Sequence, residues 1–487
     1  MAGGKKAKAA AAPAFPVVLC GGSNGTAFFS GLWSSGRLPS GAHPVRVVSR
    51  RPERFAEPLT VRETYQPGKG TALGDSVFAP VSWREYKSGK VNAFDYSQLD
   101  TALEGAECVW ICAPVNAYGD LLEKIMPAAT REAERSGRGP GNPIMVCCMY
   151  GQGGFEWLAL SKAGGALHPG VALVQLKNFP ALISRTSETT VENFGYHPNC
   201  AWFATTPRTA GPVAKSMCKT LFALSSQDWA VQELKTPLLC TLGGSNQLLH
   251  TCIIGGLLGE APGRTFDKQP KVYRDLPWRS FTLMGSVWKE TMLLAETLES
   301  VFNLPILDKV GFAGPIRNAM KVNVHHWPHG LVSAMSWIAI NTTSRLRAAK
   351  LPILPNPHQG DRIAKETETD GPYVFNADHR FIVDDVPYGL CVLFGIAEIV
   401  NCPMPVTGKL IADLQLYLRK EYVVVRGARF VLDGRDAKDT GAPQAYGVTN
   451  LAGLREMIVN NRLPMFANGQ DASSVEESPS VPTLSRL

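Results

Sequence analysis

Short apolar runs alternate with helix-like segments along the first half of the chain. Each run is rich in aliphatic and β-branched residues, which is typical of buried strands, and the segments between them carry apolar residues at helical spacing. Strands that alternate with helices form a parallel sheet. The five runs are Phe15–Cys20, Val45–Val48, Cys108–Ala113, Pro143–Cys148 and Ala172–Leu176.

The pattern changes after about Leu234, where β-rich runs become few and long helical segments such as Ser280–Phe302 follow. The sequence therefore predicts an α/β Rossmann-type N-terminal domain over residues 15–234, followed by an all-α C-terminal domain over residues 235–467. Within the second domain, Arg345–Asp378 is dense in proline, glycine and charge, which predicts a long loop.

Both ends of the chain have the composition of solvated tails. Residues 1–14 are rich in Ala, Lys and Gly and lack the apolar segment of a secretory signal, and residues 468–487 are rich in Ser, Pro and acids. The last three residues, Ser485-Arg486-Leu487, resemble the S-K-L peroxisomal address, with Arg keeping the positive charge. We expect recognition by the peroxisomal import receptor; the alternative is an ordinary tail on a cytoplasmic protein.

Composition excludes several classes of protein. Of 487 residues, 45% are hydrophobic and 19% charged, so the bulk of the chain has enough apolar surface to fold. The net charge of +7 is mild and forms no dense basic stripe, which argues against a nucleic-acid partner. The 11 cysteines form no CxxC pair and no Cys/His ligand spacing, so we expect buried free thiols, a reducing compartment and no metal site.

A cluster of glycines directly follows the first predicted strand and precedes a helix. Backbone N–H groups and the helix dipole at such a turn bind a pyrophosphate, although Ser23 and Thr26 stand at two positions of the G-x-G-x-x-G/A pattern. The alternative is a tight turn that binds nothing. The candidate cofactor contacts are Gly21, Gly22, Ser23, Asn24, Gly25 and Thr26.

The end of the second predicted strand indicates which nucleotide is bound. An NAD-preferring domain usually has an acid there for the ribose 2′-hydroxyl, whereas this chain has Ser49, Arg50 and Arg51. Because Arg binds a phosphate bidentately, we expect NADP, with NAD as the alternative. Ala113 and Pro114 follow the third strand at the same edge and are expected to border the nicotinamide.

The uncharged stretch Thr236–Gly259 has membrane-spanning length but carries polar residues and glycines at its centre. We expect a buried functional helix and no membrane span. His250 lies in this stretch and is the histidine that we single out, against the alternative of a satisfied core residue. A second group, His325, His326 and His329, has no acid beside it and is interpreted as packing or loop residues.

Arg380 and the adjacent carboxylates Asp384 and Asp385 precede a proline-containing turn and an apolar helix. A carboxylate bound to His250 would fix the histidine tautomer for acid–base catalysis, and the Arg would bind a substrate carboxylate. The alternative is helix capping by the acids and a surface ion pair for the Arg.

Taken together, these segments resemble the octopine/nopaline (opine) dehydrogenase family, in particular its marine-invertebrate octopine and tauropine type. The Arg380–Gly389 block is the most specific, because it is similar to the family pattern R-Y-L-x-E-D-[IV]-P-x-G. The matching segments, in the same order, are CGGSNG at 20–25, Ala113-Pro114, Gln152–Glu156, Asn178–Pro180, His250, Arg380–Gly389, Lys409-Leu410, Lys420–Tyr422 and Pro443–Gly447.

The resemblance implies a Rossmann domain followed by a helical domain, and reductive condensation of a 2-oxo acid, often pyruvate, with an amino acid. By the same resemblance His250 is the catalytic histidine, Asp385 its partner and Arg380 the substrate-binding arginine, while Gln152 and Asn178 hold the oxo acid. Asn178 stands where the invertebrate enzymes have Thr. Two alternatives stay open: a dehydrogenase that reduces a simple 2-oxo or 3-hydroxy acid without an amine, and a nucleotide-binding sensor without chemistry.

Overall fold

The computed structural model describes most of both predicted domains. The His325–His329 group, the tripeptide 485–487 and nearly all of both tails lie outside the described residues, so the expectations on them stay predictions. The described residues are 14–65, 82–196, 201–222, 231–244, 246–259, 264–304, 330–331, 333–334, 350–355 and 373–464.

The helices and strands alternate through the first half, and helices dominate the second. The strands are β1 (Val17–Cys20), β2 (Val45–Val48), β3 (Thr60–Tyr65), β4 (Ser82–Lys87), β5 (Val91–Phe94), β6 (Cys108–Ile111), β7 (Ile144–Cys148), β8 (Val171–Leu176), β9 (Ala181–Arg185), β10 (Thr190–Tyr196), β11 (Ala201–Thr206), β12 (Val231–Glu233), β13 (Thr265–Phe266), β14 (Ile353–Pro355), β15 (Tyr373–Phe375), β16 (Val424–Arg426) and β17 (Arg429–Val431). The helices are α1 (Asn24–Ser34), α2 (Leu99–Leu103), α3 (Tyr118–Arg135), α4 (Phe155–Lys162), α5 (Gly211–Leu221), α6 (Leu238–Leu242), α7 (Asn246–Leu258), α8 (Trp278–Phe302), α9 (Arg380–Val383), α10 (Cys391–Ile399), α11 (Pro405–Leu418) and α12 (Leu451–Asn460).

An eight-stranded sheet in the order β12-β11-β8-β7-β6-β1-β2-β5 forms the first half, and it contains all five predicted strands. Strand β1 pairs in parallel with β2 on one side and with β6 on the other. The chain order runs outwards in both directions from the β1–β6 pair, which makes this pair the topological switch point. In open α/β sheets, ligands bind outside the carboxyl ends of the strands at such a point.

Two layers of apolar side chains cover the sheet, which is why its central strands are apolar throughout. On one face Phe28, Phe29 and Trp33 of α1 pack with Trp110, and on the other face the side chains of α3 pack with alternate strand residues such as Val109. The α/β Rossmann-type first half is therefore confirmed, and its switch point is held by a rigid core.

A second, four-stranded sheet in the order β4-β3-β10-β9 lies beyond α1 and was not expected. The missing side chain of Gly31 lets β3 approach, because a Cβ there would come within 2.5 Å of Val61 Cγ2. The sequences of β3 and β4, TVRETY and SWREYK, mix charged and polar residues with apolar ones. Strands with one solvated face give a weaker hydrophobic signal than buried ones, which explains why they were missed.

The helices of the second half surround one apolar core, to which α7, α8, α10 and α11 contribute. The helical second domain is confirmed, but it also contains a small sheet, β13-β15-β14, and the hairpin β16-β17. The expected loop Arg345–Asp378 is wrong in its described parts, because β14 and β15 pair there. Short paired segments among prolines give no periodic signal.

No described helix is both long and apolar enough to cross a bilayer. No group of three or more His, Cys, Asp or Glu among the described residues has the arrangement of a metal site. The ten described cysteines are all buried and free, including the five expected from the strand sequences.

Glu156 in α4 is a buried acid whose burial raises its pKa from 4.5 to about 8. Thr206 donates a 2.9 Å hydrogen bond to Oε1, while Oε2 has no partner in the described structure. Because the folded-state pKa lies above the unfolded value, this group stabilises the fold fully below about pH 4.5, and its contribution is lost as the pH rises through about 8.

We predict that Glu156→Gln removes the loss of stability at high pH that ionisation of Glu156 causes, because the amide has the shape of the neutral acid and cannot ionise. We expect the free energy of unfolding, measured by urea denaturation, to fall between pH 5.5 and 9 in the wild type. The fall should exceed that of Glu156→Gln by on the order of a few kcal/mol. Equal pH slopes in both proteins would show that Glu156 does not titrate in this range.

Candidate active site

The turn between β1 and α1 lies at the switch point and is shaped by Gly21. Its φ of +133° favours glycine, and a Cβ would lie 2.3 Å from the carbonyl oxygen of Cys112 after β6. The Ser23 hydroxyl donates to the same carbonyl at 2.7 Å, and the Thr26 hydroxyl does so at 3.2 Å. The two departures from the glycine pattern therefore tie the β1 and β6 turns together.

The arrangement leaves a backbone surface open to a ligand. Gly22 and Asn24 are exposed at the start of α1, and Gly25 is buried behind them. On the facing turn Pro114 is exposed and Ala113 is half-buried. A helix N-terminus with exposed glycine backbone fits a pyrophosphate, so these predicted cofactor contacts share one crevice.

The three residues at the end of β2 extend this crevice. Ser49 is buried, its hydroxyl accepts a 3.2 Å hydrogen bond from the Arg51 amide, and a Cβ on Gly22 would lie 3.2 Å from its Oγ. Arg50 and Arg51 are exposed and form no ion pair within the described part of the chain. Their guanidinium groups are thus available to an anionic group next to the glycine turn.

His250 on α7 is bound to Asp385, and this contact joins two segments 135 residues apart. The distance from His250 Nδ1 to Asp385 Oδ2 is 2.8 Å, and Gln152 Nε2 donates to the other oxygen, Oδ1, at 2.7 Å. All three side chains are almost completely buried. Because Gln152 follows β7 and Asp385 precedes α10, the carboxylate also connects the parallel sheet with the helical half.

The remaining sides of the imidazole are also occupied. Tyr273 places its hydroxyl 3.2 Å from His250 Nε2, and Phe381 stacks on the ring with a centroid distance of 4.0 Å. Neither residue was singled out from the sequence. Phe381 lies beside the predicted Arg380, but Tyr273 is in a segment, KVYRDLPW, that carries no pattern of its own.

Arg380 begins α9 and is exposed, with its guanidinium carbon 5.4 Å from the Phe381 ring centre. No carboxylate among the described residues is paired with it. Burial, together with the Arg380 charge, lowers the pKa of His379 to about 4, so His379 is neutral near pH 7. An unpaired cation next to the His250 ring is suited to bind a substrate carboxylate.

Asp384 has a different environment from Asp385. Its Oδ1 accepts a 3.0 Å hydrogen bond from the Asn116 amide on the β6 side. Burial raises its pKa from 3.8 to about 6, and the Asp385 charge adds to this, while the Asn116 bond and the Arg380 charge oppose it. The alternative considered above was helix capping by Asp384. Its side chain instead accepts the Asn116 hydrogen bond, which is a second contact between the two halves.

Gln152 retains an unused acceptor, because its buried Oε1 has no hydrogen-bond partner in the described structure. A Cβ on Gly244 would lie 3.3 Å from this oxygen and 2.9 Å from the Tyr150 hydroxyl, so a residue larger than glycine would fill the space. Asn178 lies buried after β8, but no hydrogen bond joins it to Gln152, His250 or Asp385 among the described atoms. The structure thus brings together His250, Asp385, Gln152 and Arg380, and leaves Asn178 outside their contacts.

The chain is similar to several proteins of one family. Residues 233–417 match the family model described as NAD/NADP octopine/nopaline dehydrogenase, alpha-helical domain. Tauropine dehydrogenase of Arabella iricolor is 29% identical over 208 residues, which are 42% of this chain and 47% of that protein. Opine dehydrogenase of Haliotis discus hannai is 28% identical over 221 residues, 45% of this chain and 48% of that protein. The chain thus aligns with about half the length of these two relatives.

Longer alignments exist at lower identity. Octopine dehydrogenase of Pecten maximus is 22% identical over 447 residues, covering 89% of this chain and 97% of that protein. Among solved structures, octopine dehydrogenase with NADH and L-arginine superposes with a TM-score of 0.64 at 21% identity, covering 90% of this chain and 97% of that one. Yersinopine dehydrogenase with NADP+ gives a TM-score of 0.53 at 12% identity, covering 83% and 91%. These two structural likenesses show the fold.

We predict that Asp385→Ala destabilises the protein by about 2–5 kcal/mol, because it leaves the buried donors of Gln152 and His250 unpaired. In a double-mutant cycle with His250→Ala, urea denaturation should give a coupling energy of about 1–3 kcal/mol. Strictly additive losses would show that the 2.8 Å contact contributes nothing to folding.

Proposed function

We propose that this chain, which is similar to the octopine/nopaline dehydrogenase family, is an NAD(P)H-dependent dehydrogenase that condenses a 2-oxo acid, such as pyruvate, with the amino group of an amino acid. The observation that carries this proposal is the buried His250–Asp385 pair, whose imidazole stacks on Phe381 next to the exposed Arg380, a cation with no ion-pair partner among the described residues. It combines a proton-transfer group with a carboxylate-binding group at the junction of the two halves.

The glycine turn and the crevice at the switch point fit a nicotinamide dinucleotide. The exposed backbone at Gly22 and the start of α1 would hold its pyrophosphate, and Ala113 and Pro114 would border its nicotinamide end. When bound, the reduced cofactor supplies the hydride.

The side chains around His250 bind the substrate and transfer protons. Arg380 binds a substrate carboxylate, and the free Oε1 of Gln152 accepts a hydrogen bond from a substrate N–H or O–H group. A proton passes from the ammonium group of the entering amino acid to His250 Nε2, and the neutral amine then attacks the carbonyl carbon. A proton passes from that nitrogen to the oxygen, giving a carbinolamine.

The second half of the condensation removes the oxygen as water. The nitrogen lone pair forms the C=N bond while the C–O bond breaks, and the departing oxygen receives the proton held at Nε2. Asp385 keeps Nδ1 protonated and stabilises the imidazolium between the two transfers. The resulting iminium carbon would be the acceptor of the hydride, which would leave a secondary amine.

The first test is oxidation of NADPH and NADH, followed at 340 nm, with pyruvate fixed and amino acids added one at a time. We expect oxidation only when pyruvate and an amine are both present. His250→Ala should retain cofactor binding and lose roughly 10²–10⁴-fold in kcat, because it removes the acid–base group. Turnover with the oxo acid alone would indicate a simple oxo-acid reductase, and binding without any turnover would indicate a sensor.

We further propose that NADPH is the preferred cofactor, on the basis of the two guanidinium groups that follow Ser49 and have no ion-pair partner among the described residues. A 2′-phosphate at the end of β2 would lie beside both cations. Ser49-Arg50-Arg51 contains no acid that could accept hydrogen bonds from the ribose hydroxyls of NADH.

We predict that Arg50→Ala with Arg51→Ala weakens NADPH binding by roughly 10–100-fold and NADH binding by less than about threefold, because charge-assisted bonds to a phosphate are lost. Titration calorimetry on both cofactors measures the two ratios. Arg429→Ala, on the exposed β16–β17 hairpin, controls for the general loss of positive charge. An equal loss for NADPH and NADH would rule out the 2′-phosphate contact.

A further inference from the structure

Both ring nitrogens of His250 have a protein partner. Asp385 occupies Nδ1, Phe381 covers one face of the ring, and the hydroxyl of Tyr273 lies 3.2 Å from Nε2. Nε2 therefore already has a hydrogen-bond partner before any substrate arrives. A substrate oxygen can reach this nitrogen directly only if Tyr273 moves away.

Tyr273 is held in place by the segment around it. Lys271 accepts hydrogen bonds at its carbonyl from the amides of Arg274 and Asp275, and its own amide donates to Asp275 Oδ2 at 2.9 Å. The Leu351 amide donates to Pro270 at 2.8 Å, which fixes the chain before the tyrosine. The Tyr273 ring itself is buried in the helical core. Because the backbone around Tyr273 is hydrogen-bonded and its ring is packed in the core, displacement of the side chain is unfavourable. Proton transfer through the Tyr273 hydroxyl is therefore favoured.

Resting on the proposed function, we propose that Tyr273 is a catalytic residue that relays the proton between His250 Nε2 and the reacting oxygen of the substrate. As the C–O bond of the carbinolamine breaks, the Tyr273 O–H proton moves to the leaving oxygen, and the Nε2–H proton of the imidazolium moves to the phenol oxygen. Water leaves, the nitrogen lone pair forms the C=N bond, and the tyrosine ends as the neutral phenol with which it began.

The electrostatics of the site agree with this role. Burial raises the pKa of Tyr273 to about 12, so the hydroxyl keeps its proton near neutral pH. The Arg380 charge acts in the opposite direction on the same pKa. The phenol therefore has a proton to donate, 3.2 Å from His250 Nε2.

Tyr273→Phe tests the relay because it removes one oxygen atom and keeps the ring. With pyruvate and the amino acid that supports wild-type turnover, we expect kcat to fall about 10²-fold while both KM values and the cofactor Kd stay within about threefold. Tyr422→Phe is the matched control, since Tyr422 is a buried tyrosine of the same helical half that has no contact with His250 in the described structure. It should keep the wild-type kcat.

Three outcomes would overturn the relay: an unchanged kcat in Tyr273→Phe, an equal loss in both tyrosine variants, or a rise in KM at constant kcat, which would indicate substrate binding alone. Absence of turnover in the wild type would instead refute the proposed function, and the relay with it.

A second readout needs no catalysis. In the cofactor-free protein labelled with 15N-histidine, Tyr273→Phe should shift the Nε2 resonance of His250 towards that of an unbonded nitrogen, and Tyr422→Phe should not. The His250→Ala spectrum identifies the signal. An unmoved resonance would show that the hydroxyl is not bonded to Nε2 and would refute the relay.

Discussion

The Asp385 carboxylate is the constraint on which the rest of the site depends. It is buried, and each oxygen accepts one hydrogen bond, from Gln152 in the sheet half and from His250 in the helical half. A buried carboxylate is costly unless it is well bonded, so the two halves must meet in one register for the fold to be stable. The same contact sets the histidine tautomer. Domain register and proton chemistry are thus consequences of one interaction.

An irregular piece of backbone makes this possible. The chain from Val386 to Leu390 forms a π-helical turn, in which the Leu390 amide donates to the Asp385 carbonyl at 2.9 Å. Such turns shift the direction of neighbouring side chains and are frequent at functional sites. Here adjacent acids reach different partners: Asp384 accepts from the Asn116 amide, and Asp385 from the pair described above. A regular helix would point consecutive side chains about 100° apart on its surface.

The sequence was most informative where local pattern and chemistry coincide. The glycine turn after a buried strand and the Arg380–Gly389 block could be recognised because spacing along the chain defines both. By contrast, Tyr273 and Phe381 acquire their roles only through tertiary packing against His250, 23 and 131 positions away in the chain. The strands β3 and β4 were hidden for a similar reason, since their partly charged sequences become a sheet only against α1 and β10.

The charges around the imidazole favour proton exchange in both directions. With neutral His250, the His250–Asp385 pair carries one negative charge in a buried site; when Nε2 takes a proton the pair becomes neutral overall. An uncompensated buried charge is costly, so the Asp385 carboxylate is suited to stabilise the imidazolium that the proposed reaction requires. Arg380 is exposed and has no carboxylate partner among the described residues. In the proposed reaction, a substrate carboxylate on Arg380 would therefore complete the charge balance that the described residues leave open.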